Sequence, residues 1–277
     1  MNPQPPDRTP PGTAPASAAP LRIHAEELRF RSGPPTHLRR GGKGGPILAA
    51  TLYLPADAAP DRDRLPGLIV GHGAGSRRGR HDSFCREACA AGMAVLALDF
   101  RGHGDSTGTA DGPLQEDILA AAALLRSHPL IDGHRLGYRG SSMGGYYGLL
   151  AAADAGFAAA ALICPASEEV LLAGVDRPAA VTFAGNDPTQ RLDRERLREY
   201  LRTHPALAAA GDVTCPVLLL HARGDDVVPL RHTLALAERL AGPVDVVITP
   251  GGDHRSIQAS PVMHRRVALW LREQLTS

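Results

Sequence analysis

From residue 66 onward the chain alternates short, almost continuously apolar runs with alanine- and leucine-rich stretches of helical period. No other feature constrains the fold as much. The apolar runs are 66–72 (PGLIVGH), 94–100 (AVLALDF), 135–140 (RLGYRG), 158–164 (AAAALIC), 216–222 (PVLLLHA) and 244–250 (VDVVITP). Helical stretches fall near 80–91, 113–127, 143–154, 229–241 and 260–275. Strands without a polar alternation, each followed by a helix, are what a parallel sheet covered on both faces requires. Two earlier strands, 25–32 (AEELRFRS) and 47–54 (ILAATLYL), have no helix between them and are expected as an antiparallel edge. The expectation is therefore an α/β fold with a mostly parallel eight-stranded sheet and helices on both faces.

The interval 165–212 breaks the rhythm, because almost fifty residues exceed a simple crossover. Inside it, 190–202 (QRLDRERLREYLR) is a charged amphipathic helix with Leu192, Leu197 and Leu201 as its apolar stripe. It is either a surface helix over the sheet edge or part of a short cap above the strand ends, where it would line a substrate pocket. We take 21–277 as one domain with a cap insertion at about 165–212, preceded by a Pro/Ala-rich tail over 1–20 that is expected to be disordered.

At 277 residues a single large core is ordinary, and 43% hydrophobic with 4% aromatic residues makes it a core of Ala, Val, Leu and Ile. The formal charge of +1 gives no electrostatic case for nucleic acid. No apolar run approaches the roughly 18–20 residues that span a bilayer, and the N-terminus lacks the pattern of a secretory signal. A cytoplasmic protein that does not insert into membranes is expected; the oligomeric state is not legible. Cys85, Cys89, Cys164 and Cys215 have the spacing of neither a disulfide framework nor a zinc site and read as buried, reduced thiols.

The chemistry gathers at the ends of the strands. In 138–147 (YRGSSMGGYY) the pattern Gly-x-Ser-x-Gly is met by Gly140, Ser142 and Gly144, at a turn from strand into helix. A nucleophile on such a strained elbow needs small residues two positions to either side. Ser141 would instead have Arg139 and Met143 there, so Ser142 is the candidate. A serine hydroxyl needs a base, and His254 in PGGDHR follows the last strand on the same sheet edge. His264, in the terminal helix, reads as a surface residue. The base needs a carboxylate; HARGDDVVP ends the preceding strand with Asp225 and Asp226, and Glu168 or Glu169 is a weaker alternative. An oxyanion needs two donors: the backbone N–H of Met143, and one from VGHGAG (70–75), with Ala74 favoured over Gly73. His72 is expected to shape that turn. No HExxH, CxxC or dinucleotide-type glycine loop is present, so no cofactor or metal is expected.

Taken together, the elbow, the HG turn, DFRGHGDS (99–106), GDDVVP and the late GGDH resemble the α/β-hydrolase superfamily over roughly 22–275. HGAG with D-x-RG-x-G-x-S is similar to small bacterial carboxylesterases and to serine aminopeptidase- or lysophospholipase-like hydrolases. The resemblance implies an α/β-hydrolase fold and a triad of Ser142, Asp225 and His254. It places the acid four residues before Pro229, and it makes Asp99, Arg101 and Ser106 structural. The elbow carries Ser, where a dehalogenase would have Asp and a dienelactone hydrolase Cys. No propeller or other large domain precedes the core in this sequence, which weighs against an oligopeptidase built that way. The implied function is a serine hydrolase of short- to medium-chain carboxylic esters, with a small-molecule ester as its partner. The alternatives are an amide or peptide hydrolase or acyltransferase with the same triad, or a silent binding protein.

Overall fold

The computed structural model describes residues 22–33, 44–59, 64–176 and 190–277. The tail expected over 1–20 lies outside these residues, as does 177–189 of the insertion. Eight strands form one sheet: β1 (Ile23–Arg31), β2 (Ile47–Pro55), β3 (Leu65–Gly71), β4 (Ala94–Leu98), β5 (Ile131–Ser141), β6 (Ala159–Ile163), β7 (Val217–Ala222) and β8 (Val244–Thr249). Their order is β1-β2-β4-β3-β5-β6-β7-β8. The β1–β2 and β2–β4 pairings are antiparallel and the remaining pairings are parallel, so the antiparallel edge and the parallel body both stand where the sequence puts them.

Neighbouring side chains of a strand leave the sheet on opposite faces, so each central strand feeds two cores. In β4, Ala94, Leu96 and Leu98 join the cluster that holds α2 (Gln115–Ser127) and α3 (Met143–Ala155). Val95 and Ala97 join the cluster that holds α1 (Asp82–Ala90) and α9 (Pro261–Thr276). That double burial is why the central runs are apolar without alternation. Helix α3 is apolar nearly all round because it lies in the core directly behind the β5 turn.

In the insertion stand α4 (Glu168–Asp176), α5 (Arg194–Thr203) and α6 (Ala206–Ala210). Asp193 caps α5 by accepting from Arg196 N–H at 3.2 Å, and Leu197 and Leu201 are buried as the stripe requires. The chain before α5 is laced to the loop after β4: Arg191 N–H donates to Gly102 O at 2.7 Å, and Ala110 N–H to Arg191 O at 2.9 Å. The helices α7 (Leu230–Arg239) and α8 (Ser256–Ala259) complete the shell. Among the described residues no helix is long and apolar enough to cross a membrane. All four cysteines are free, three of them buried and Cys215 half-buried.

One expectation fails here. His264 is not a surface residue but 7% exposed, because α9 packs against α1. Its ring meets Phe84 edge-on, with centroids 5.7 Å apart, and its Nε2–H donates to Gln258 O at 2.7 Å.

Candidate active site

Strand order puts the pieces together. β3 and β5 lie side by side, with Gly71 opposite Gly140, so the turns leaving both strands emerge next to each other. In a parallel sheet such a point, where successive strands run off to opposite sides, opens a crevice at the carboxyl ends. At the end of β5, Ser142 has φ 51 and ψ −115; among the described residues only Cys164 shares a positive φ without being glycine. The neighbouring glycines are required by contact. A Cβ on Gly140 would stand 2.5 Å from Gly144 O, and one on Gly144 would stand 2.5 Å from Gly71 O. Ser142 N–H donates to Ile163 O at 2.9 Å and Ser142 O accepts from Ala166 N–H at 3.1 Å, which pins the turn to the end of β6.

The turn after β3 lies against this serine: a Cβ on Gly73 would be 3.4 Å from Ser142 Cβ. His72, fully buried, holds the turn from within. Its Nε2 accepts from Phe100 N–H at 3.1 Å, so the proton sits on Nδ1, 2.8 Å from Gly73 O. Gly73 and Ala74 line a cavity of about 220 Å³ together with Ser142 and His254. Met143 opens α3 directly behind the serine, where the positive end of the helix favours negative charge.

On the far side, Ala222 at the end of β7 pairs with Thr249 at the end of β8, and this brings the loops bearing Asp225 and His254 together. Asp225 Oδ2 accepts from His254 Nδ1 at 2.7 Å. Its Oδ1 accepts from the N–H groups of Val227 and Val228 at 2.9 and 2.7 Å. Burial alone would raise this carboxyl, but the bonds from His254 and Val228 and the adjacent Cys164 thiol outweigh it and hold the group down at about 2. An ionised Asp225 only accepts, so the His254 proton is on Nδ1 and Nε2 is left with its lone pair. That is the tautomer a general base needs. Asp226, by contrast, is exposed, and α7 starts after Pro229 with no side-chain cap. Glu168 is occupied elsewhere, accepting from Ala206 N–H at 2.9 Å at the start of α6, and Glu169 is exposed. The structure thus brings Ser142, Asp225, His254, Ala74 and Gly73 to one place and leaves Ser141 in β5, buried and out of the cavity.

Asp99, Arg101 and Ser106 form scaffolding. Ser106 Oγ donates to Asp99 O at 2.6 Å, Asp99 receives Arg78, and Arg101 is clamped by Asp117, Glu116 and Ser32. Several supporting residues gave no signal in the sequence. His221, buried beside the acid, donates Nε2–H to Val228 O at 3.1 Å and accepts at Nδ1 from Thr233 Oγ1 at 2.8 Å, so it braces the 225–228 loop. Cys164, strained at φ 44, places Sγ within 4.8 Å of the Asp225 and His254 ligand atoms, and burial keeps its thiol protonated. Gln258 donates to His254 O at 2.6 Å. None of these has a motif; only the meeting of β6, β7 and β8 brings them together. Of the expected lining by 165–212, residues 177–189 lie outside the described residues and none of the others lines this cavity, whose described lining comes from the segments after β3, β5, β7 and β8.

Residues 84–277 match the model of the prolyl oligopeptidase family. The chain belongs to the prolyl oligopeptidase family, within the α/β-hydrolase superfamily. The match lies inside the residues read above as the hydrolase core. Among individual relatives of this family member, the α/β hydrolase domain-containing protein aho-3 of Caenorhabditis elegans is 27% identical over 59% of this chain and 44% of its own length. The human mitochondrial palmitoyl-protein thioesterase ABHD10 is 27% identical over 70% of this chain and 68% of its own. The first of these alignments therefore spans less than half of the relative's length. Est1E from Butyrivibrio proteoclasticus, solved with ferulic acid bound, superposes with a TM-score of 0.67 at 21% identity, covering 84% of this chain and 97% of that one. The likeness to Est1E is one of fold.

Proposed function

We propose that this hydrolase cleaves carboxylic esters of short to medium acyl chain through Ser142, His254 and Asp225, by way of a covalent acyl-enzyme. The observation that carries the reading is the 2.7 Å bond between Asp225 and His254 Nδ1 at a cavity that His254 shares with a strained, buried Ser142. In the first step His254 Nε2 takes the Ser142 proton as Oγ adds to the substrate carbonyl. The oxyanion is received by the N–H groups of Met143 and Ala74. His254 then returns the proton to the leaving alcohol as the C–O bond breaks. Water repeats the sequence on the acyl-enzyme: His254 takes its proton, hydroxide adds to the carbonyl, and Ser142 leaves protonated. Asp225 fixes the tautomer throughout and balances the charge formed on the ring.

Membership of a family named for peptide hydrolysis, and a thioesterase among the relatives, favour amide or thioester cleavage as a second reading. The same nucleophile serves all three bonds. A fluorophosphonate adduct mapped by mass spectrometry to Ser142, followed by turnover of 4-nitrophenyl esters from two to sixteen carbons against matched anilides and thioesters, tests both. Labelling elsewhere would defeat the triad; faster anilide cleavage would replace the ester reading.

A further inference from the structure

Arg80, His81 and Arg255 are among the residues that line the cavity in front of Ser142, and no Asp or Glu is found among its described lining residues. The short 3-10 turn Arg78–His81 that supplies two of these residues is firmly held. Arg78 N–H donates to Asp99 Oδ1 at 2.6 Å, and the Arg78 guanidinium gathers Asp99, Glu27 and Asp105. Those three acids are thereby spent on Arg78, and among the described residues Arg80 makes no ion pair.

His81 is 7% exposed, and its Nδ1 lies 2.9 Å from Arg139 Nη1. An arginine can only donate, so Nδ1 accepts and the neutral ring carries its proton on Nε2. Burial first, and the Arg139 charge second, keep the ring neutral. The Nε2–H is buried with no hydrogen-bond acceptor among the described residues; His81 is one of the residues lining the cavity, and its other nitrogen is turned to Arg139. Arg139 is itself 1% exposed. It lies 4.8 Å over the Phe84 ring, and no carboxylate pairs with it among the described residues. Burial lowers it only to about 10, so it remains a cation at neutral pH. A buried positive charge with no carboxylate partner among the described residues, relayed through a neutral donor toward a cavity lined by two more arginines, one of them (Arg255) also interacting with the Asp253 carboxylate, favours an anion.

We infer that the group filling this cavity is a carboxylate of the substrate, so that the preferred ester carries a negative charge close to its scissile bond. The carboxylate lies between His81 Nε2–H and the Arg80 and Arg255 guanidinium groups. The inference rests on the serine-hydrolase reading above, and its test keeps the two apart. Two charged esters are each compared with a neutral twin at fixed ionic strength. Mono-4-nitrophenyl adipate against its methyl ester puts the charge on the acyl side, and 4-acetoxybenzoate against methyl 4-acetoxybenzoate puts it on the leaving group. Binding of free adipate and of adipamide to the Ser142→Ala protein is measured by calorimetry alongside.

At least one charged ester is expected to exceed its twin roughly tenfold or more in kcat/KM, and adipate to bind more tightly than adipamide. Arg80→Gln and Arg255→Gln should shrink that ratio, and added salt should shrink it too. Arg77→Gln, an exposed neighbour that does not line the cavity, should leave it in place. Neutral twins cleaved as fast as charged ones, with that cleavage lost in Ser142→Ala, would overturn the anionic site and leave the hydrolase reading standing. If no ester is turned over, the hydrolase reading falls, and the calorimetry alone decides the site: equal binding of adipate and adipamide overturns it. An unchanged ratio in both arginine variants would overturn it as well.

Discussion

Ser141 and Ser142 are adjacent and both buried, yet only Ser142 sits at φ 51 beside the cavity. Ser142→Ala is therefore expected to abolish ester turnover and fluorophosphonate labelling, while Ser141→Ala retains a substantial part of both. Measured kcat/KM and the mapped adduct check this, and an adduct on Ser141 would reverse it. Asp225→Asn keeps the shape but can hold the wrong tautomer of His254, a change that costs about 10⁴ in turnover in serine proteases. A loss of several orders of magnitude in kcat is expected, against near-normal activity for Asp226→Asn. The same carboxylate contributes to stability with a definite sign. Its folded value, about 2, is below the ordinary 3.8, so the contribution is present above about pH 4 and is lost as pH falls toward 2. It amounts to about 2 kcal/mol at neutral pH. Urea denaturation should show the difference between wild type and Asp225→Asn narrowing from pH 6 to pH 3; a widening difference would contradict the assignment.

At the scale of elements, the described helices of the insertion are tied to the body of the fold. Leu201 of α5 is fully buried, Tyr146 OH of α3 donates to His204 O at 2.7 Å, and Glu168 caps α6. Leu201→Ala leaves a void that the surrounding helices can only partly fill, so a loss of about 2–5 kcal/mol in chemical denaturation is expected. A loss under 1 kcal/mol would mean that α5 lies loosely on the core. The elbow is a junction of elements as well. Because a Cβ on Gly144 would meet Gly71 O, Gly144→Ala pushes the start of α3 away from the turn that follows β3. About 1–3 kcal/mol of overpacking is expected together with loss of turnover. Unaltered kinetics in that variant would show that the two turns are not in register for catalysis.

Across the whole molecule, charge is buried where it ties distant segments together. Asp117 of α2, fully buried, receives Arg101 from the loop after β4 and Ser32 from the end of β1. Removing it leaves the buried Arg101 cation with only the partly exposed Glu116 as a carboxylate partner. Asp117→Ala should cost about 3–5 kcal/mol and lower the midpoint of the global transition, followed by circular dichroism. A small change confined to one edge would show that the edge unfolds independently of the parallel body.

Sequence by itself determined the strand count, the antiparallel edge and the elbow, because each is written in local pattern: period, glycine spacing, the position of a turn. It also pointed to His254 and to the pair Asp225 and Asp226, which stand just beyond apolar runs read as parallel strands, while the choice of Asp225 within that pair came from the family resemblance. It did not reveal that Glu168 is a helix cap, that His264 is buried, or that the described lining of the cavity comes from the segments after β3, β5, β7 and β8. It was equally silent on Arg139, His81, Cys164 and His221, which surround the candidate site without any spacing that marks them. Those outcomes depend on which strand lies beside which, and the order β4-β3-β5-β6-β7-β8 is chosen by the packing of helices on two faces. Only that packing sets Arg139, three residues before Ser142, against a histidine some sixty positions away in sequence, because burial and contact across the sheet are properties of the assembled layers and not of any one segment.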